Sequence, residues 1–179
     1  LNIVDEKINE KHKINQSNNR KSIEEGTSTM IAKSSKCDWD SINNEYDVSK
    51  EDFGRKIYFV EDTFKKKIII RDVEQAFTLA SYGFPKPATI LAGGVIEELL
   101  RLYLEHKNIK PTSDTFDEYI KVCEQNKLLK SGISRLSDSV RHFRNLVHLK
   151  KEETERYTIS KSTAKGAVAS IFTIVNDFQ

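Results

Sequence analysis

One short stretch of the chain concentrates residue types that can act on a phosphodiester. It contains Arg141, Arg144, Asn145 and His148. With Val140 as the reference and about 100° of rotation per residue, a helix places these four side chains between about 40° and 140°, on one flank. Two of them are fixed cations, one is an amide, and one is an imidazole that titrates near neutral pH. The spacing therefore predicts a polar stripe along one flank of a helix.

The chemistry of this stripe suits work on phosphate. An arginine offers a two-pronged donor to phosphate oxygens and stabilises extra negative charge in a transition state. A histidine transfers protons near physiological pH, and neighbouring arginines favour its neutral, basic form. Asn145 could orient the imidazole or bind a phosphate oxygen. The same residue types also occur on plain solvent-facing helix flanks, and a histidine near a helix C-terminus complements the helix dipole. A structural interpretation therefore stays open beside the catalytic one.

The same stretch resembles the HEPN superfamily (higher eukaryotes and prokaryotes nucleotide-binding domains). Its members carry an Arg, a polar residue, a short spacer and a His in a late helix, as Arg141, His142 and His148 do here. Residues 144–148 also resemble the "RN, two apolar, H" variant of bacterial members. Upstream, residues 91–100 resemble the family's helix with Ala-Gly, then Glu, then Leu-Leu. The resemblance covers about residues 66–178.

The resemblance implies an all-helical domain and, in catalytic members, RNA cleavage without metal or other cofactor. The RNA 2′-hydroxyl attacks the adjacent phosphate, which leaves a 2′,3′-cyclic phosphate and a 5′-hydroxyl. On this resemblance His148 is the proton-transfer group and Arg141 is the phosphate and transition-state ligand. Arg144 and Asn145 support them, and His142 occupies the polar position of the motif.

The resemblance also implies a supporting acid and partners. Glu97 matches the family's helix acid and would pair with one of the arginines. Catalytic members usually work as dimers whose motif helices face each other, so a homodimer through the motif helix is expected, with RNA as its substrate. The family is common in toxin and phage-defence systems. Separately from the resemblance, the two distant cysteines Cys37 and Cys123 indicate a reducing compartment, and residues 1–25 lack the apolar segment of a signal peptide, so a cytoplasmic protein is expected.

Two registers of the motif lead to different functions. The register that starts at Arg141 places His142 in the polar position. The register that starts at Arg144 and Asn145 has a shorter spacer to His148 than catalytic members usually have. Many domains of the second kind are dimerisation or accessory modules, so a catalytically silent interaction module is the alternative hypothesis. A helical adaptor unrelated to the family is the third.

Other residues add little chemistry. Lys150 and Lys151 directly follow the motif and could guide an RNA backbone, whereas the lysines at 65–67 fit a solvated surface. The sequence has no HExxH, no zinc-type Cys/His spacing, no phosphate-binding glycine loop and no GxSxG. We therefore expect neither a metal site nor a cofactor. Gly93 and Gly94 are interpreted as positions of close helix packing.

The elements that position the motif are predicted from apolar residues at helical spacing. Helices are expected from about 67 to Gly83, over 87–106, from Ser113 or Asp114 to about 123, over 134–149 and over 160–178. The runs at 56–60 and 67–70 are ambiguous, and a hairpin turning near 61–63 is the alternative to helix for them. Short joints favour antiparallel neighbours, so the fold class is an all-α bundle of four or five helices. The predicted core includes Phe77, Leu91, Val95, Leu99, Leu102, Val140, Phe143, Val147, Ile171 and Val175.

Composition limits the remaining choices. The chain has 179 residues, 29 Lys plus Arg and 27 Asp plus Glu, so its formal charge of +2 excludes nucleic-acid binding through bulk positive charge. Residues 1–50 are polar and lack a sustained apolar period, which predicts an extension or linker before a domain at 51–179. This extension could contact a further domain or partner, and Trp39 and Tyr46 could pin its end to the domain. No apolar run is long enough to span a membrane.

Overall fold

The computed structural model of the chain describes residues 39–129 and 158–179, which belong to one compact unit, Asp38–Gln179. The helices of this part are α1 Trp39–Tyr46, α2 Lys50–Lys56, α3 Thr63–Ser81, α4 Pro85–His106, α5 Phe116–Gln125 and α6 Lys161–Asp177. Among the described residues there is no strand, which confirms the predicted all-α class. The run at 67–70 lies in α3, and no hairpin forms around 61–63.

Local sequence fixes where these helices begin. Side-chain oxygens of Ser49, Asp62 and Ser160 accept hydrogen bonds from backbone N–H groups of the first turns of α2, α3 and α6, at 3.1, 2.8 and 3.1 Å. Such caps satisfy donors that have no partner within the helix. Pro85 opens α4, where its missing N–H costs no hydrogen bond.

A three-residue turn makes α3 and α4 antiparallel. Gly83 has φ of +84°, a left-handed conformation that a side chain disfavours. The backbone N–H of Phe84 then reaches back to the carbonyl of Leu79 at 2.8 Å, which closes the end of α3. The chain therefore reverses direction here, as the stop at Gly83 predicts.

One end of the core is an aromatic cluster, which we define as Trp39, Tyr46, Phe53, Phe77 and Phe172. Its rings come from α1, α2, α3 and α6, and their centroids lie 4.9–6.4 Å apart. These tilted and edge-to-face arrangements are the favourable ones for aromatic rings. The cluster therefore joins the start of the unit to its last helix.

The C-terminal helix α6 also closes the other end of the core. Phe178, just after α6, stacks on Tyr103 of α4 with 3.8 Å between ring centroids, and its carbonyl accepts a hydrogen bond from the Tyr103 hydroxyl at 3.2 Å. Polar contacts follow the same path, since Lys165 of α6 bonds Glu45 at 2.8 Å and Asn176 accepts from Lys56 at 2.6 Å. Helix α6 thereby links elements that are distant in the sequence.

The compact unit begins earlier than the boundary drawn at residue 51. Residues 39–50, assigned from sequence to the extension, contribute α1, in which Trp39 and Ile42 are buried. Together with α2 they bring the described helices to six, rather than four or five. Helix α1 is stabilised by packing on α3 and α6 rather than by its own short sequence.

Two further details differ from the sequence prediction. Helix α5 begins at Phe116 with Thr115 as its N-cap, rather than at the predicted caps Ser113 or Asp114. Asp114 instead accepts a hydrogen bond from the Tyr119 hydroxyl. Leu91, predicted in the core, is only half-buried.

The predicted core residues of the other helices are confirmed where they are described. These are Phe77, Val95, Leu99, Leu102, Ile171 and Val175, all buried. The predicted helix over 134–149, with Val140, Phe143 and Val147, lies outside the described residues, as do residues 1–38.

Candidate functional site

The structure describes one member of the predicted site, Glu97. The arrangement of the others on one helix flank stays a prediction, because all of them lie outside the described residues. They are Arg141, His142, Arg144, Asn145, His148, Lys150 and Lys151.

Glu97 lies in the middle of α4 and is half-buried. It follows the fully buried Ile96, and its own side chain lies at the edge of the core. Burial, the hydrogen bond to Asp114 and the charges of Asp114 and Glu97 together raise the pKa of Tyr119 on α5 to about 12. Glu97 is therefore close enough to Tyr119 of α5 to affect its hydroxyl electrostatically.

The adjacent Glu98 belongs to a separate charge network. Its two carboxylate oxygens accept hydrogen bonds from Arg101, both at 2.8 Å, and Lys65 of α3 approaches at 3.7 Å. Arg101 also contacts Glu105 at 3.2 Å. The hydrogen bond from Arg101 is the main cause that lowers the pKa of Glu98. Glu98 is therefore a fixed anion at neutral pH and unsuited to donate a proton.

A polar cleft of about 380 Å³ lies where α3 begins and α4 ends. Carboxylates of Glu61, Asp62 and Glu105 line it together with the exposed His106. The His106 ring lies edge-on to Tyr58, with 5.4 Å between centroids. Sequence reasoning did not select His106, because its neighbours come from another part of the chain. Across the described ranges, no three His, Cys, Asp or Glu side chains are grouped so that they could hold a metal ion.

A second, apolar groove of about 680 Å³ runs between α3 and α4. Its floor and walls are formed by Ile68, Ile69, Leu79, Ile90, Leu91 and Val95. The Lys65–Glu98 ion pair lies at one end of it, and Asp72 lies on its wall. We call this feature the α3–α4 groove. Its only charged lining residues among those described are Lys65, Asp72 and Glu98, and the rest of its lining is apolar or glycine, so it suits contact with apolar surface rather than catalysis.

The nucleophile Cys123 is not available for chemistry. It is fully buried in α5, and burial raises the pKa of its thiol to about 12. A protonated, inaccessible thiol is a small core residue.

Comparisons with protein-family models, curated proteins and solved structures found no significant match to this chain. None of the helices in the described part is long and apolar enough to cross a membrane.

Proposed function

We propose that this chain is a HEPN-type helical domain that cleaves RNA by attack of the substrate's own 2′-hydroxyl. The observation that carries the proposal is the sequence of residues 141–148, with two arginines, an asparagine and a histidine that a helix would place on one flank. Support comes from α4, where residues 91–100 form a continuous helix and Glu97 is half-buried beside the core.

In the proposed reaction His148 removes the proton from the 2′-hydroxyl. The 2′-oxygen then bonds to the adjacent phosphorus while the bond from phosphorus to the 5′-oxygen breaks. A proton passes to the departing 5′-oxygen, which becomes a hydroxyl, and the 2′,3′-cyclic phosphate remains on the other fragment. Arg141 stabilises the charge that develops on the phosphate oxygens. Arg144 and Asn145 position the phosphate, and Lys150 and Lys151 attract the RNA backbone.

The same proposal includes a homodimer through the helix expected over 134–149 and a cytoplasmic role in a toxin or phage-defence system. Two copies of the motif would then face one cleft, so that each RNA strand meets cations from both. Glu97 would hold one of the arginines in position.

Cleavage of single-stranded RNA in the presence of a chelator tests this mechanism. Replacement of His148 by Ala should lower the rate roughly 10²–10⁴-fold, since it removes the proton-transfer group. Replacement of Arg141 by Ala should lower it about 10²–10³-fold, the usual effect of one group aimed at developing charge. His106→Ala is the matched control, because His106 is exposed and lies outside the motif. Products should carry a 2′,3′-cyclic phosphate.

Arg144→Ala distinguishes the two registers. If the register begins at Arg141, the effect of Arg144→Ala is the milder of the two arginine substitutions. If it begins at Arg144, the order is reversed. A requirement for magnesium, or full activity of His148→Ala, would contradict the mechanism.

The second candidate function is a catalytically silent interaction module. It is favoured by one observation, the short spacer between Asn145 and His148. A purified protein that leaves a broad panel of RNAs intact would support this module over the nuclease.

A further inference from the structure

Among residues 39–129 and 158–179, the α3–α4 groove leaves apolar surface uncovered. Ile90 is 37% exposed, and Ile68 and Leu91 are half-buried. Burying such surface is favourable, so a groove of this kind is a contact surface if its edges fit a partner.

Gly94, on the α4 wall of the groove, has no explanation within the described structure. It lies in the interior of a helix, where glycine is less favourable than alanine. It is exposed, and a Cβ atom added there would meet no atom within 4 Å. Packing among the described helices therefore does not require glycine at this position, although the pair Gly93 and Gly94 predicts close packing. An absent side chain here allows the backbone of another helix to approach from outside.

The charged residues on the α3 wall of the groove are complementary to the same residues on a second copy of the chain. Lys65 and Asp72 are seven residues apart, which places them on the same face of α3, about 10 Å apart along its axis. Ile68 and Ile69 lie between them. If two copies of α3 pack antiparallel about a point between 68 and 69, each Lys65 faces the partner's Asp72. Both contacts of Asp72 with Arg71 use Oδ1, and Lys65 reaches Glu98 only at 3.7 Å.

The position of Gly94 and the positions of Lys65 and Asp72 indicate the same centre for a two-fold axis. The Lys65–Glu98 ion pair, with 3.7 Å between Nζ and Oε1, places these two residues at about the same level of the antiparallel helices α3 and α4. The midpoint between Lys65 and Asp72, at 68–69, lies three to four residues along α3 from Lys65. Because α4 runs antiparallel to α3 and both helices have the same rise per residue, residues 94–95, three to four positions before Glu98, lie at the level of this midpoint. A two-fold axis at this level brings Gly94 of each copy to the place where the two α4 helices come together.

We propose that the α3–α4 groove is an interface with a second copy of this chain, packed antiparallel across a two-fold axis at the level of Ile68 and Gly94. The occupant is a second copy because the charge pattern matches itself, as an isologous interface requires. This interface is distinct from the one expected over 134–149 and does not depend on RNA cleavage. The homodimer of the proposed function would use residues 134–149, so substitutions in α3 and α4 identify association through the groove, whereas cleavage of RNA tests the nuclease separately.

Sedimentation of the full chain over a range of concentrations measures the association. Lys65→Glu and Asp72→Lys should each weaken it roughly tenfold or more, because like charges then face each other across the interface. The double variant Lys65→Glu with Asp72→Lys should regain association, since the pairs re-form with their signs exchanged. Lys67→Glu is the matched control, because Lys67 is exposed about 200° around α3 from Lys65.

Gly94→Leu tests the close approach without charge. It should abolish association through the groove while leaving the melting temperature of the unit unlowered, because nothing within 4 Å opposes the new side chain. Gly166→Leu in α6 is its control, an exposed helical glycine with equally open surroundings that lies outside the groove. A wild-type chain that is monomeric at every concentration overturns the proposal. So does a double charge variant that stays dissociated, or a Gly94→Leu variant that associates like the wild type.

Discussion

The aromatic cluster and the α3–α4 groove use apolar side chains in opposite ways. The aromatic cluster takes rings from four helices, and Phe53, which contacts Trp39 and Phe172, is fully buried. The groove takes side chains from two adjacent helices only and leaves Ile90 partly in solvent. Apolar residues with partners far along the chain define the fold. Those whose neighbours lie on one helical hairpin form a surface that the other described helices do not cover.

The largest effect should come from removing a ring from the aromatic cluster. Phe53→Ala should lower the free energy of unfolding by roughly 3–5 kcal/mol, because it opens a cavity between Trp39 and Phe172. Denaturant unfolding measures this change. Phe64→Ala is the same substitution on a side chain that is 70% exposed, and it should change stability by about 0.5 kcal/mol or less. Equal effects of the two substitutions would contradict the division between core and surface.

A smaller effect of opposite sign is expected at Thr89, which adjoins Ile90 on α4 but is fully buried. Among the described residues its hydroxyl finds no hydrogen-bond partner. Thr89→Val keeps the shape and removes the unsatisfied group, so it should raise the free energy of unfolding by roughly 1 kcal/mol. The melting temperature of Thr89→Val, measured by circular dichroism against that of the wild type, tests this prediction. A lower melting temperature would show that the hydroxyl has a partner after all.

The smallest effect concerns the ion pair at the end of the groove. Arg101 lowers the pKa of Glu98, so the carboxylate stabilises the fold above its ordinary pKa of 4.5 and loses this contribution as pH falls through the lowered value. Glu98→Gln should therefore reduce stability by at most about 1 kcal/mol at neutral pH, because the pair is partly exposed. The difference between wild type and variant should shrink as the pH falls below 4.5. A difference that stays constant down to strongly acidic pH would exclude this ion pair as its cause.

Most of the described fold could be predicted from local sequence. Helix α4 was expected over 87–106 and spans Pro85–His106, because its apolar period, Pro85 and the preceding Gly83 all act locally. Helix α1 was missed, although Trp39, Ile42 and Tyr46 have the spacing of one helix face. Eight residues in a polar stretch are too few to establish a helical period. In addition, Phe172, which packs against Trp39 and Tyr46, is far along the chain.

The candidate site could be predicted only as far as residue types and spacing allow. The resemblance selected Glu97, which is half-buried on α4, and the motif residues at 141–148 remain a prediction. Sequence periodicity assigned Leu91 to the core, yet it lines the α3–α4 groove, because an apolar period cannot show which part of a stripe a neighbour covers. The self-complementary pair Lys65 and Asp72 became visible only when Glu98 fixed the level of α3 against α4.

The position of α6 has a consequence for biosynthesis. Ribosomes make the chain from its N-terminus, so α1 to α5 exist before the helix that packs against α2, α3 and α4. Until α6 emerges, Tyr46 and Lys56 lack the partners that they bond in the finished unit, each more than a hundred residues away. Contacts that close so long a loop form late. The hairpin of α3 and α4, with its three-residue turn, can form during synthesis, whereas the complete core has to wait for the last helix.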